Sequence, residues 1–106
     1  MSPATKKELQ KVIEKIVRDI PKNHAFDSHF VINQLHTDKK YSYMSIRIGS
    51  PGCTVAAVNS EISRMVKTLR GTVEQLRLPK NGKPLKSWSE TIHGDPGECA
   101  CWLKLN

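Results

Sequence analysis

The densest chemical signal in the sequence is a run of basic side chains in its second half. Between Arg64 and Lys86 only one acid, Glu74, opposes the positively charged residues, which are Arg64, Lys67, Arg70, Arg77, Lys80, Lys83 and Lys86. The chain of 106 residues has 17 Lys plus Arg, 10 Asp plus Glu and a formal net charge of +7. Such a surface attracts polyanions, because nucleic-acid phosphates release counterions when cations neutralise them. The alternative is a solvated basic surface that only aids solubility.

The cysteines and histidines form no pattern typical of a metal site or a catalytic centre. Cys99 and Cys101 share one face of a strand, but neither Cys53 nor His93 belongs to a second close pair that would complete a zinc site. None of the remaining histidines has a carboxylate or a nucleophile at a spacing typical of a catalytic motif. We therefore predict no metal, no cofactor and no catalytic residue, and we expect that the protein is not an enzyme.

Three helices are predicted to position the basic residues. One over residues 5–20 follows from the apolar residues that recur at helical spacing, Leu9, Val12, Ile13, Ile16, Val17 and Ile20. A second helix begins after Asp27, its predicted N-cap, and ends near His36. The third covers 55–70, with an apolar stripe on one face and Ser60, Ser63, Arg64 and Lys67 on or beside the other.

The rest of the chain favours β structure. Strands are predicted at 72–78, 87–93 and 99–105, and the last two form an antiparallel hairpin around the turn 94–97. Segment 41–48 is ambiguous: its alternating apolar residues favour a short strand, and a helical turn is the alternative. We therefore predict a single α+β domain over 1–106, with three helices followed by a β-hairpin.

This layout resembles the winged-helix group of DNA-binding domains. The resemblance is carried by the apolar stripes of the first and third helices, the Phe26-Asp27-Ser28 start of the second helix, and the hairpin from Trp88 to Trp102. Short uncharacterised bacterial proteins of this layout are similar too, in Phe26-Asp27-Ser28-His29, Val58-Asn59-Ser60-Glu61-Ile62 and Cys99-Ala100-Cys101-Trp102. The connection over 37–53 departs from the pattern, because it is longer than a tight helix-turn-helix allows.

The resemblance implies a small basic protein, a DNA-binding regulator, whose partner is double-stranded DNA. Its third helix would enter the major groove and present Ser60, Ser63, Arg64 and Lys67. Phosphate contacts would come from Arg70, Lys80, Lys83 and Lys86. The alternative is a non-enzymatic protein-interaction module on the same scaffold, because fold does not dictate function. An exposed apolar patch that contains Tyr41 or Tyr43 would favour this alternative; burial against the second helix would make both tyrosines core residues.

Composition sets further expectations. No apolar run approaches the roughly 20 residues of a membrane span, and the N-terminal residues lack the apolar core of a signal peptide. The odd number of cysteines, 3, argues against a secreted disulfide scaffold. We therefore expect a cytoplasmic protein without a membrane partner. A lean core and exposed hairpin edges favour a homodimer.

Overall fold

Four helices and a four-stranded antiparallel sheet are formed by the residues that the computed structural model describes, 1–50 and 52–106. In chain order they are α1 (Pro3–Arg18), β1 (Ala25–Asp27), α2 (Ser28–Leu35), α3 (Tyr43–Ile48), α4 (Val55–Lys67), β2 (Val73–Gln75), β3 (Lys86–Glu90) and β4 (Pro96–Lys104). The α+β class is confirmed, but the predicted number of three helices is wrong. None of the helices in the described part of the chain is long and apolar enough to span a membrane.

Side-chain caps explain where the helices begin. The Asp27 carboxylate accepts the N–H of Phe30 at 2.8 Å, so α2 begins where the sequence predicts. Thr54 accepts the N–H of Ala57 at 3.1 Å and caps α4 in the same way. α1 begins two residues earlier than predicted, because Ser2 is the N-cap and Pro3 suits the first helical position.

Helix α3 lies in the segment that the sequence leaves open between a strand and a helical turn. The alternation of Met44, Ile46 and Ile48 favours a strand, yet residues 43–48 are helical. Tyr43 and Ile46, three residues apart, are buried, whereas Met44 and Ile48 are exposed. The burial of this segment therefore follows helical spacing, and its apparent alternation comes from two apolar side chains that contribute nothing to the core.

Strand β4 is the centre of the sheet. Its C-terminal half lies between β1 and β2, and Trp102 is the register partner of both Phe26 and Gln75. Its N-terminal half pairs with β3, with Trp88 opposite Glu98, so the predicted hairpin is confirmed with shifted bounds. β1 was not predicted, and β2 is shorter than the predicted strand 72–78.

Between β2 and β3 the chain forms a small projecting hairpin over residues 76–85, which we call the arm. The N–H of Leu78 donates to the carbonyl of Lys83 at 2.8 Å, and the N–H of Leu85 donates to the carbonyl of Leu76 at 2.9 Å. Gly82 has φ 68°, a left-handed value that glycine adopts without strain. The arm is therefore a hydrogen-bonded turn that carries its side chains away from the sheet.

The apolar stripes of α1 and α4 meet in one core together with α2 and the sheet. Its fully buried members include Leu9, Ile13, Val17, Val31, Ile32, Leu35, Ile62 and Val66. Lys104 is also buried, because its ammonium donates to the carbonyls of Arg18 (3.1 Å) and Ile20 (2.7 Å). A cation at the C-terminal end of α1 also interacts favourably with the helix dipole.

The core assignment predicts unequal effects for two isoleucines. Ile13→Ala should lower the free energy of unfolding by about 2–5 kcal/mol, because it leaves a cavity in a closely packed core. Ile48→Ala removes the same atoms from a side chain that is 76% exposed and should change the free energy by less than about 0.5 kcal/mol. Urea denaturation followed by circular dichroism measures both. Equal losses in the two variants would contradict the core assignment.

Candidate functional site

The exposed face of α4 carries part of the predicted site. Ser60, Arg64 and Lys67 are exposed, and helical geometry places them opposite the buried Val58 and Ile62. Arg64 Nη1 lies 2.5 Å from a carboxylate oxygen of Glu61, one turn earlier. An exposed pair of this kind contributes at most about 1 kcal/mol, and the guanidinium keeps further N–H donors for another partner.

A groove of about 500 Å³ lies between the end of α4 and β2. We call it the basic groove, because its lining includes Lys67, Arg70 and Arg77 but only one acid, Glu74. Trp102, on β4, also lines this groove. Three basic side chains from three different segments thus converge on one concave surface.

A second groove, of about 530 Å³, separates α4 from the β3–β4 hairpin. Ser60, Ser63 and Lys86 line it, but so do Asp95 and Glu98. We call it the mixed groove, because its acids outnumber its single cation. Two predicted site residues, Lys67 and Arg70, therefore line the basic groove, and three others, Ser60, Ser63 and Lys86, line the mixed groove.

The remaining predicted lysines project from the arm. Lys80 and Lys83 are exposed, and the arm also carries Arg77 but no acid. Arg77 Nη1 donates to the carbonyl of Gly82 at 3.1 Å, and the Asn81 side chain accepts the N–H of Lys83 at 3.0 Å. These hydrogen bonds stabilise the conformation of the turn that carries Lys80 and Lys83.

The sequence analysis missed a polar network that joins α2 to β3. Asp27 uses one carboxylate oxygen as the N-cap, and the other accepts the hydroxyls of Ser87 (2.9 Å) and Ser89 (3.2 Å). The Ser89 hydroxyl also lies 2.7 Å from Nδ1 of the buried His29. In a Ser-His-Asp triad the histidine bridges the other two side chains, whereas here the serine does. The network therefore ties two elements together, and its partners are too far apart in sequence for spacing to reveal them.

Tyr43 belongs to the core and not to an exposed surface. Its hydroxyl donates to Asn59 Oδ1 at 2.6 Å and lies 3.4 Å from a carboxylate oxygen of Asp95. Burial and the negative charge of Asp95 raise the pKa of Tyr43 to about 12. Tyr41 is half-buried and packs against the core. The open question about the two tyrosines is thus decided in favour of packing.

The thiols lie in three different environments. Cys53 is exposed, Cys99 is buried and Cys101 is half-buried. Burial raises the pKa of the Cys101 thiol, and the nearby Cys99 and Asp27 add to this effect. A raised pKa lowers the fraction of nucleophilic thiolate, so Cys101 is a poor candidate for covalent chemistry.

Comparison of the chain with protein-family models, with curated proteins and with solved structures finds no match. The winged-helix resemblance and the DNA partner that it implies therefore stay predictions.

The environment of Tyr43 predicts a loss of stability at high pH. The folded-state pKa of about 12 exceeds the ordinary value of 10.0, so folding favours the neutral phenol. The contribution of Tyr43 to the free energy of unfolding is fully present below pH 10. It falls by about 1–3 kcal/mol as the pH rises towards 12. Urea denaturation between pH 9 and about 11.5 should show this decline. The free energy of unfolding of Tyr43→Phe should fall less steeply with pH than that of wild type, whereas that of the control Tyr41→Phe should follow wild type. Identical pH profiles for all three proteins would contradict the assignment.

Proposed function

We propose that this protein binds nucleic acid, with double-stranded DNA as its partner, through α4, the basic groove and the arm. The observation that carries the proposal is the convergence of Lys67, Arg70 and Arg77 on one groove that contains a single acid. Phosphate oxygens are the groups that such a set of cations attracts most strongly. A regulator of DNA-linked processes is the role that this chemistry fits.

Lys80 and Lys83 extend the basic surface beyond the groove. They share the arm with Arg77, so the cations continue from the last turn of α4 through the groove to the arm. Lys86 is different, because Asp95 and Glu98 line the same groove and repel phosphate. We therefore assign the main phosphate contacts to the basic groove and the arm, and a smaller contribution to Lys86.

Sequence discrimination by α4 should be weak. The hydroxyl of Ser63 donates to the buried Ser28 at 2.7 Å. Of the predicted base-reading residues, this leaves Ser60, Arg64 and Lys67 exposed on the helix. Specific recognition of bases requires several side chains that reach base edges in the groove. Contacts to the phosphate backbone should therefore supply most of the affinity.

The order of elements is compatible with a winged-helix arrangement. Helices α1, α2 and α4 precede β2, β3 and β4, β1 lies between α1 and α2, and the sheet order is β1-β4-β2. α3 occupies part of the long connection that the sequence places between the second and third predicted helices. This supports the use of α4 as the helix that faces DNA, with the β3–β4 hairpin or the arm beside it.

Exposed apolar side chains favour a second candidate function, a protein-interaction module. Trp88 is 74% exposed on β3, and Ile92 in the following turn is exposed as well. Glu98 lies directly opposite Trp88 in the register, so this face of the hairpin suits a protein better than a phosphate backbone. The homodimer stays a prediction: β1 lies at an edge of the sheet, where a second copy would find unpaired backbone groups.

A salt-dependent binding measurement tests the nucleic-acid proposal. Fluorescence anisotropy with a labelled random-sequence duplex should show affinity that falls steeply as salt rises. Lys80→Ala/Lys83→Ala should weaken binding and flatten the logarithmic salt slope by about one unit per lost phosphate contact. The matched control is Lys7→Ala/Lys15→Ala, which removes two exposed cations from α1 and should leave the slope nearly unchanged.

The result that contradicts the proposal is absence of duplex binding at low salt and micromolar protein. Equal weakening by the arm and α1 variants would also count against it, because it would show a nonspecific effect of net charge. A labelled single strand of the same sequence, measured in parallel, identifies the preferred form of the nucleic acid. Arg64→Ala should leave the affinity for random duplex nearly unchanged if phosphates dominate the contact.

A further inference from the structure

We propose that the mixed groove binds a small zwitterion of the amino-acid class, with His29 as a hydrogen-bond acceptor in its wall. The groove has a volume of about 530 Å³, which lies within the range of roughly 300–1,000 Å³ that is typical of small-molecule sites. Its lining comes from α2, α4 and the β3–β4 hairpin. This inference does not depend on nucleic-acid binding, which the article assigns to the basic groove and the arm.

The hydrogen bonds of His29 determine which of its ring nitrogens carries the proton. His29 is 5% exposed, and its Nδ1 lies 2.7 Å from the hydroxyl oxygen of Ser89. That hydroxyl has a single proton, which it donates to the Asp27 carboxylate at 3.2 Å. Ser89 therefore accepts a hydrogen bond from the Nδ1–H of His29. In the neutral ring this leaves Nε2 without a proton, as an acceptor.

The Nε2 atom of His29 is open to the mixed groove. In residues 1–50 and 52–106, the only buried side-chain nitrogen or oxygen without a hydrogen-bond partner is His93 Nε2. Since His29 Nε2 makes no hydrogen bond within the same residues, it is in contact with solvent, and the groove that His29 lines is the opening beside it. A buried and oriented ring thus directs an unused acceptor into a cavity, where an ammonium or hydroxyl group can donate to it.

The charges around the groove favour a ligand that carries both signs. Asp95 is paired with Arg47 at 3.4 Å, so its charge is largely offset. Lys86 and Glu98 are exposed, and neither forms an ion pair in the part of the chain that the structure describes. A purely anionic ligand would be repelled by Glu98 and a purely cationic one by Lys86, whereas a zwitterion can pair with both.

Neutral polar groups complete the lining. Asn59 Oδ1 accepts the hydroxyl of Tyr43 at 2.6 Å, which leaves the amide N–H groups of Asn59 available as donors. The hydroxyl of Ser60 is exposed on α4 and can donate as well as accept. The ammonium group of an amino acid therefore finds acceptors in this groove, and its carboxylate finds donors.

A titration of the full chain, followed in ¹H–¹⁵N NMR spectra, tests the site with each common L-amino acid as the probe. At least one should bind saturably at millimolar concentration and shift the backbone resonances of Ser60, Ser63 and Glu98. The methyl ester of that amino acid lacks the carboxylate, and its N-acetyl derivative lacks the ammonium group. Each should bind at least about threefold more weakly. The proposal is overturned if no amino acid binds saturably, or if either derivative binds as tightly as the parent.

A substitution at an exposed position tests the charge pairing. Glu98→Gln should weaken binding of the same amino acid at least about threefold, because the ammonium group loses its charged partner. Glu90→Gln is the matched control: Glu90 is exposed on the same hairpin but does not line the groove, so the affinity of this variant should equal that of wild type. Equal affinity in Glu98→Gln and wild type would overturn the proposal.

The ring nitrogens of His29 provide a readout that needs no substitution of a buried residue. Imidazole ¹⁵N spectra of the neutral ring should show a proton on Nδ1 and none on Nε2. The Nε2 resonance should shift when the bound amino acid reaches saturation, since it then accepts a hydrogen bond. A proton on Nε2 in the neutral ring, or an Nε2 resonance that does not move at saturation, would contradict the role of His29.

Discussion

Burial of the Trp102 indole is the interaction on which the rest of the structure depends. Trp102 is 2% exposed and lies where β4 pairs with β1 on one side and β2 on the other. Its Nε1 donates to Ser28 Oγ at 3.2 Å, and the Ser63 hydroxyl donates to the same oxygen at 2.7 Å. One buried oxygen thus joins the sheet, the start of α2 and α4. Loss of that acceptor would leave the buried indole N–H unsatisfied, which is costlier than losing the bond alone, and would also remove the link to α4.

The same arrangement creates the basic groove. Trp102 also lines that groove, so the core and the candidate binding surface share a side chain. β2 pairs with β4 at Trp102, and Arg77, which follows β2, lines the same groove as Lys67 and Arg70. The spacing of the cations is therefore a consequence of core packing.

Around this core, polar side chains hold the β3–β4 hairpin against both ends of α2. The Asp27 carboxylate accepts hydrogen bonds from the hydroxyls of Ser87 and Ser89 near the start of the helix. At its other end, Asn33 accepts the N–H of Ile92, and the rings of His36 and His93 approach each other. The hairpin is therefore held along the length of α2.

The sequence by itself determined the features that depend on neighbouring residues. The α+β class, the stripes of α1 and α4, the N-cap Asp27 and the β3–β4 hairpin follow from local periodicity, side-chain hydrogen bonding and turn residues. The sequence also shows which side chains are basic, but it does not show that some of them line the basic groove, some the mixed groove, and others lie on the arm.

That division was decided only by the tertiary structure, as were the helical form of α3, the strand β1 and the burial of Tyr43. A short segment has too little local preference to choose between helix and strand, so packing against the core makes the choice. The three-residue strand β1 exists because β4 offers backbone groups to pair with it. Likewise, Asp27 and Ser89, or His36 and His93, meet because distant segments pack together, and no spacing rule along the chain encodes that contact.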